Sequence, residues 1–200
     1  MGDENNHRYV DLFIADLQLI DCYNQLDFVL IREAIDFAKN CHKGQWRASG
    51  EPYYHHPLEV AKIVSKYDCN TDIIIAAILH DTIEDSVTTF TELSFLFNKK
   101  IARIVHNVTK FNYTNHYKVK ISEEKILEKL YIQNNNSSIL VKLCDRLHNL
   151  STIDALPKHK QHKIALQTIR TLIPLAKALG IEELETELSE LALTIIASCT

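Results

Sequence analysis

Two hundred residues, 46% apolar and 24% charged, suit one soluble domain large enough for a core of its own. The net charge of −4 argues against non-specific nucleic-acid binding, and no stretch is long and apolar enough to span a bilayer. Five cysteines, odd in number and without C-x-x-C spacing, argue against a disulfide framework and suit a reducing cytosol.

Only 4 Gly and 4 Pro favour long helices over turn-rich sheet. Leu12, Leu17 and Ile20 predict a first helix within an N-terminal extension, 1–24, ahead of the main unit, 25–200. Leu26, Leu30, Ala34, Phe37 and Ala38 repeat at helical spacing and predict a second, ending near Gly44. The stretch 45–57 carries Gly, Ser and two prolines and is expected as a loop, with Pro57 in the first turn of a helix to about Tyr67. The apolar run Ile73 to Leu79 is expected as a helix capped by Asp72, although its composition also suits a buried strand. Thr89 to Glu92 has capping-box spacing, and Ile101, Ile104, Val105 and Val108 mark the apolar face of another helix. Residues 110–120 lose the pattern and are expected as an exposed loop. Ser122 caps a helix to about Gln133, Ile139 to Leu156 forms another, and a helix from about Lys160 to Leu179 is kinked at Pro174. Gly180 ends that helix, and Glu182 to Ala197 forms the last. The fold class is all-α, a single helical bundle.

The chemistry concentrates at Leu79-His80-Asp81-Thr82-Ile83-Glu84-Asp85. On a helix or its frayed end, His80 and Glu84 share one face, and Asp81 and Asp85 another. One imidazole and three carboxylates thus crowd the end of an apolar run, where unpaired acids are costly. A divalent cation ligated by imidazole and carboxylate oxygen would relieve that cost; a solvated acidic helix end is the alternative. Later, Lys142, Asp145, Asn149 and Thr152 follow one another at three- and four-residue steps beside the apolar positions Leu140, Leu143, Leu147 and Leu150. That face suits a polar ligand.

His56, His80-Asp81 and Asp145 together follow an H…HD…D pattern, and the chain resembles the HD-domain metal phosphohydrolases. More narrowly it resembles the hydrolase domain of the RelA/SpoT homologues, which make and degrade the alarmone (p)ppGpp. The matching elements are Gly50-Glu51-Pro52-Tyr53 leading to His56-Pro57, the His80 to Asp85 stretch, Val108-Thr109-Lys110, Val141 to Leu150, and Pro174 to Ile181. The resemblance implies an HD-domain bundle in which His56, His80, Asp81 and Asp145 hold one Mn²⁺, with Fe²⁺ an alternative. It implies that Glu84 and Asp85 act on the attacking water. Arg47, Ser49, Asn149 and Thr152 would line a guanosine pocket, and Lys142 would screen phosphate charge. The implied activity is (p)ppGpp 3′-pyrophosphohydrolase in the cytoplasm, with a small-molecule substrate and no nucleic-acid or membrane partner. In long family members the segment matching Pro174 to Ile181 leads into a synthetase domain; here about twenty residues follow it, implying a stand-alone hydrolase.

Some positions depart from the family. Ala48 stands where a second basic residue often follows Arg47, and Ser151 replaces a common arginine. Asn98 and Asn107 replace glycines, a change that left-handed backbone would tolerate. His55 is a rival to His56 as ligand, but His56 directly precedes Pro57. His148 is expected to pack behind the ligands, and His7, His42, His106, His116, His159 and His162 to serve the surface or core. Two other readings share the same residues: hydrolysis of a different nucleotide, and a catalytically silent alarmone-binding remnant.

Overall fold

Helices dominate, and the apolar spacing places most of them. A computed structural model describes residues 2–114 and 117–199. The chain forms α1 (Gly2–Ile20), α2 (Phe28–Cys41), α3 (His55–Tyr67), α4 (Thr71–Ile78), α5 (Thr82–Asp85), α6 (Phe90–Leu96) and α7 (Lys99–Val108). An antiparallel hairpin follows, β1 (Phe111–Thr114) and β2 (Tyr117–Lys120), with Phe111 opposite Lys120. Then come α8 (Glu123–Ile132), α9 (Asn136–Ser151), a 3-10 turn (Ile153–Ala155), α10 (Lys158–Gln167), a π-turn (Thr168–Leu172), α11 (Ile173–Ala178) and α12 (Glu182–Ser198).

The bundle is built around α4. Every residue from Ile73 to Leu79 is buried, so this helix is apolar all round, as a central helix must be. It packs against α2, α3, α7 and α9. Its cap is Asn70, whose side chain accepts from the Asp72 amide at 3.0 Å, and not Asp72. Asp72 instead accepts from Asn98 at 2.9 Å and pairs with Lys100 at 3.0 Å, joining the start of α4 to the start of α7.

Three further expectations change. Within the loop expected over 110–120, Phe111–Thr114 and Tyr117–Lys120 pair as antiparallel strands; residues 115 and 116 lie outside the described residues. Asn98 has extended backbone, not left-handed, and its side chain caps α7 by accepting from the Lys100 and Ile101 amides, both at 2.9 Å. The long helix expected over 160–179 is divided. Pro174 has no N–H for the Arg170 carbonyl, and just ahead of it the ladder widens so that the Ile173 amide bonds the Thr168 carbonyl five residues back.

α9 also departs from a simple amphipathic helix. Everything from Ser138 to His148 is buried, including Lys142, Asp145, Arg146 and His148. These four polar side chains face the protein interior.

Candidate metal centre and adjoining cavity

The α4 helix ends at Ile78, and the ring of His80 turns back onto it: Nδ1 lies 2.8 Å from the Ala77 carbonyl oxygen. A carbonyl only accepts, so Nδ1 carries a proton and Nε2 is the nitrogen turned to the cluster. That Nε2 is buried and makes no hydrogen bond. It lies 3.2 Å from Asp81 Oδ2 and 3.8 Å from Asp145 Oδ1. His56, at the start of α3, brings its own Nε2 to 3.1 Å from Asp145 Oδ1 and 3.8 Å from Asp81 Oδ2. His56, His80 and Asp81 each supply one donor atom within 4.8 Å of the others. Asp145 falls outside that tightest trio but approaches the same two ring nitrogens from α9.

The electrostatics follow from this crowding. Burial alone would lower His80, yet the Asp81 and Asp145 carboxylates raise it to about 9. Burial would raise Asp81, but the adjacent His80 holds it well below the ordinary carboxylate range. Asp145 is likewise pulled down against burial, chiefly by Lys142 and then by His56 and His80. Buried carboxylates kept ionised beside an orphaned imidazole nitrogen form a donor set that fits a divalent cation.

Supporting contacts surround the cluster. Tyr53 donates its hydroxyl to Asp81 Oδ2 at 2.9 Å; burial and then Asp81 and Asp85 push its own pKa far up, so it stays a donor. His56 Nδ1 lies 2.8 Å from His148 Nδ1, and burial followed by the neighbouring His56 and Arg47 lowers His148 to about 3. Lys142 is paired with Asp145 at 3.4 Å and Glu123 at 3.7 Å, behind Asp145 and not on a cavity wall. Arg146 also binds Glu123.

α5 carries the two further acids. Glu84 accepts from the Lys110 amide at 3.1 Å and pairs with its ammonium at 3.8 Å. Asp85 is raised by burial and by the nearby Asp81, and its backbone carbonyl accepts from Gln45 at 3.1 Å. Burial opposes the Lys110 charge, but Asp145, Glu84 and Asp81 raise its pKa.

A cavity of about 960 Å³ adjoins the cluster at Asp145. Its near wall includes Arg47, Ser49, Lys110, Asn149 and Thr152, and its far wall His162, Lys163 and Arg170. The Arg47 loop is closed by the Arg47 amide bonding the Glu51 carbonyl at 2.9 Å, and Gly50 has φ +87°. Arg47 Nη2 donates to Asn149 at 3.2 Å and to Thr152 at 3.1 Å, while Asn149 donates to Asp145 at 2.6 Å. Ser49 donates to Glu51 at 3.0 Å.

The structure therefore gathers His56, His80, Asp81 and Asp145 in one cluster, and Arg47, Ser49, Asn149 and Thr152 around one cavity. The sequence assigns no role to Tyr53 or Lys110, although both stand within the matching elements. His55 stacks on Tyr9 of α1, with ring centroids 3.9 Å apart. His42 is buried against Gln45 and Tyr53, and His106 packs on Phe90. His116 lies outside the described residues, as does the side chain of His7.

A family model described as an HD domain matches residues 34–182. A GTP pyrophosphokinase of Myxococcus xanthus is 39% identical over 171 residues, which is 83% of this chain and 23% of that protein. The bifunctional (p)ppGpp synthase/hydrolase SpoT of Escherichia coli (strain K12) is 37% identical over 183 residues, 90% of this chain and 26% of that protein. A guanosine-3′,5′-bis(diphosphate) 3′-pyrophosphohydrolase of Borreliella burgdorferi is 34% identical over 164 residues, 81% of this chain and 25% of that protein. The chain thus spans about a quarter of the length of these curated relatives. A solved structure of a metazoan ortholog of SpoT, described as hydrolysing ppGpp, superposes with a TM-score of 0.58 at 21% identity, covering 86% of this chain and 94% of that one. That likeness is one of fold.

Proposed function

The chain belongs to the HD-domain family, and from that premise we propose that it removes the 3′-pyrophosphate of (p)ppGpp, leaving GDP or GTP. The observation that carries the proposal is the convergence of two imidazoles and two carboxylates from three chain segments, with ring nitrogens 3.1–3.8 Å from carboxylate oxygens. His56, His80, Asp81 and Asp145 would hold one divalent ion, proposed to be Mn²⁺ with Fe²⁺ as alternative. Such an ion supplies positive charge that acidifies water and polarises a phosphoryl oxygen.

This chain's own residues do the rest. Tyr53 orients Asp81 through its hydroxyl bond. Asp85, whose pKa burial and Asp81 raise above the ordinary carboxylate value, accepts the proton of the attacking water at a carboxylate oxygen. Glu84 holds Lys110 through both amide and ammonium, so that positive charge faces the place where phosphate charge develops. Arg47 is braced by Asn149 and Thr152, leaving its guanidinium plane to stack on a purine face. Ser49 lies on the same wall. Lys142 acts by keeping Asp145 ionised and not by direct phosphate contact. The five cysteines are all unpaired, in keeping with the proposed cytoplasmic setting.

Incubation of purified protein with Mn²⁺ and ppGpp tests this. The expected products are GDP and pyrophosphate in equal amounts, lost on chelation and in Asp81→Asn. Faster turnover of an unrelated nucleotide in the same panel would assign a different substrate, and ppGpp binding without turnover across several metals would leave a binding module.

A further inference from the structure

His80 fixes its tautomer through a backbone carbonyl, but His56 has no such partner. Its Nδ1 meets another imidazole, His148 Nδ1, at 2.8 Å. The rings are tilted by 38° with centroids 4.9 Å apart, so the contact is a hydrogen bond between nitrogens and not a face-to-face stack. Two ring nitrogens at that distance share one proton. Both rings are buried.

We propose that His148 is the positioning residue of the metal centre, accepting the Nδ1 proton of His56 and so leaving His56 Nε2 bare towards the cation. The proton count requires this direction. A neutral imidazole carries one proton, and ligation through Nε2 leaves only Nδ1 to hold it. His148 Nδ1 must then be the bare partner, with its own proton on Nε2. A ligand ring is ordinarily oriented by a carboxylate, a carbonyl or water. Here the orienting group stands three residues beyond Asp145 on the same helix. α9 therefore faces His56 at both nitrogens, with His148 at Nδ1 and Asp145 Oδ1 3.1 Å from Nε2, where a cation would join the two. One helix sets both the ligand carboxylate and the rotation of the ligand imidazole.

The inference rests on the metal centre proposed above, and the test separates the two. Zn²⁺ is the probe, being diamagnetic and bound by the same donor types. In ¹⁵N NMR of the full Zn²⁺-loaded chain, His56 Nδ1 is expected to carry the proton, His148 Nδ1 to be bare, and a scalar coupling to link them across the hydrogen bond. Zn²⁺ titration of variants follows. His148→Leu is expected to weaken binding about 10- to 100-fold. His148→Asn, whose amide oxygen replaces the acceptor at nearly the same place, is expected to recover most of that loss, with melting temperatures confirming that both variants fold. A protonated His148 Nδ1 in the loaded chain, or unchanged Zn²⁺ affinity in His148→Leu, overturns the inference while leaving the centre intact. A wild-type chain that binds no Zn²⁺ overturns both.

Discussion

His80 shows how much a single backbone contact decides. Its Nδ1 is committed to the Ala77 carbonyl at 2.8 Å, and Nε2 is left buried without a hydrogen-bond partner. A buried ring nitrogen of that kind is costly unless something pairs with it, and the ionised carboxylates beside it favour positive charge there, which a cation fits. Asp85 is the acid whose surroundings differ most from its neighbours'. Burial and the charge of Asp81 raise it, whereas Asp81 and Asp145 are held down. That divergence would suit Asp85 to accept a proton and the other two to stay ionised. Asp85→Asn is expected to lower kcat by about 10²–10⁴ while leaving metal affinity unchanged. The sign of the pH effect follows. A base must be deprotonated, so the wild-type rate rises with pH through the Asp85 pKa, above the ~3.9 of an ordinary aspartate. A pH–rate series on both proteins checks this, and an acid limb that survives in Asp85→Asn would assign the base elsewhere.

At the scale of elements, α4 explains why the donors are where they are. Its six buried apolar residues fix its axis, and the chain leaves it at Leu79, directly before His80 and Asp81. Leu79 is fully buried. Leu79→Ala is expected to cost roughly 2–5 kcal/mol through lost burial and a residual cavity. For a chain of this size that lowers Tm by roughly 2–4 °C per kcal/mol, readable by calorimetry; a shift below one degree would show that α4 is not the central packing element. Much of this level was legible in sequence, because apolar spacing and the caps at Thr89 and Gly180 are local signals. The hairpin was not. Phe111 and Tyr113, like Tyr117 and Val119, alternate with polar residues, but each run is only four residues long, and pairing of β1 with β2 is a contact between separate stretches. The π-turn escaped for a related reason: Pro174 predicts a break but not its form. α9 differs at Lys142: its place in a ladder facing a polar ligand is taken by a buried ammonium whose charge Asp145 and Glu123 of α8 satisfy, and Glu123 does the same for Arg146.

At the scale of the whole molecule, the site exists because α3, the α4–α5 corner and α9 converge. Motif spacing pointed to His56, His80, Asp81 and Asp145 without stating how far apart they would stand. It placed His148 behind the ligands without saying which one, and it could not reveal Tyr53 or Lys110, since each contact is made to a residue remote in sequence: His56 for His148, Asp81 for Tyr53, and Glu84 for Lys110. The Arg47 loop meets Asn149 and Thr152 across a hundred residues, so the cavity wall and the donor cluster share α9 through Asn149 and Asp145. Ligand and cation would thus be seated against one rigid helix. The most direct measurement is anomalous diffraction from a crystal of the protein soaked in Mn²⁺. The expected result is one strong peak bounded by His56 Nε2, His80 Nε2 and carboxylate oxygens of Asp81 and Asp145. A peak elsewhere, or one that leaves His56 or Asp145 out of contact, would contradict the account.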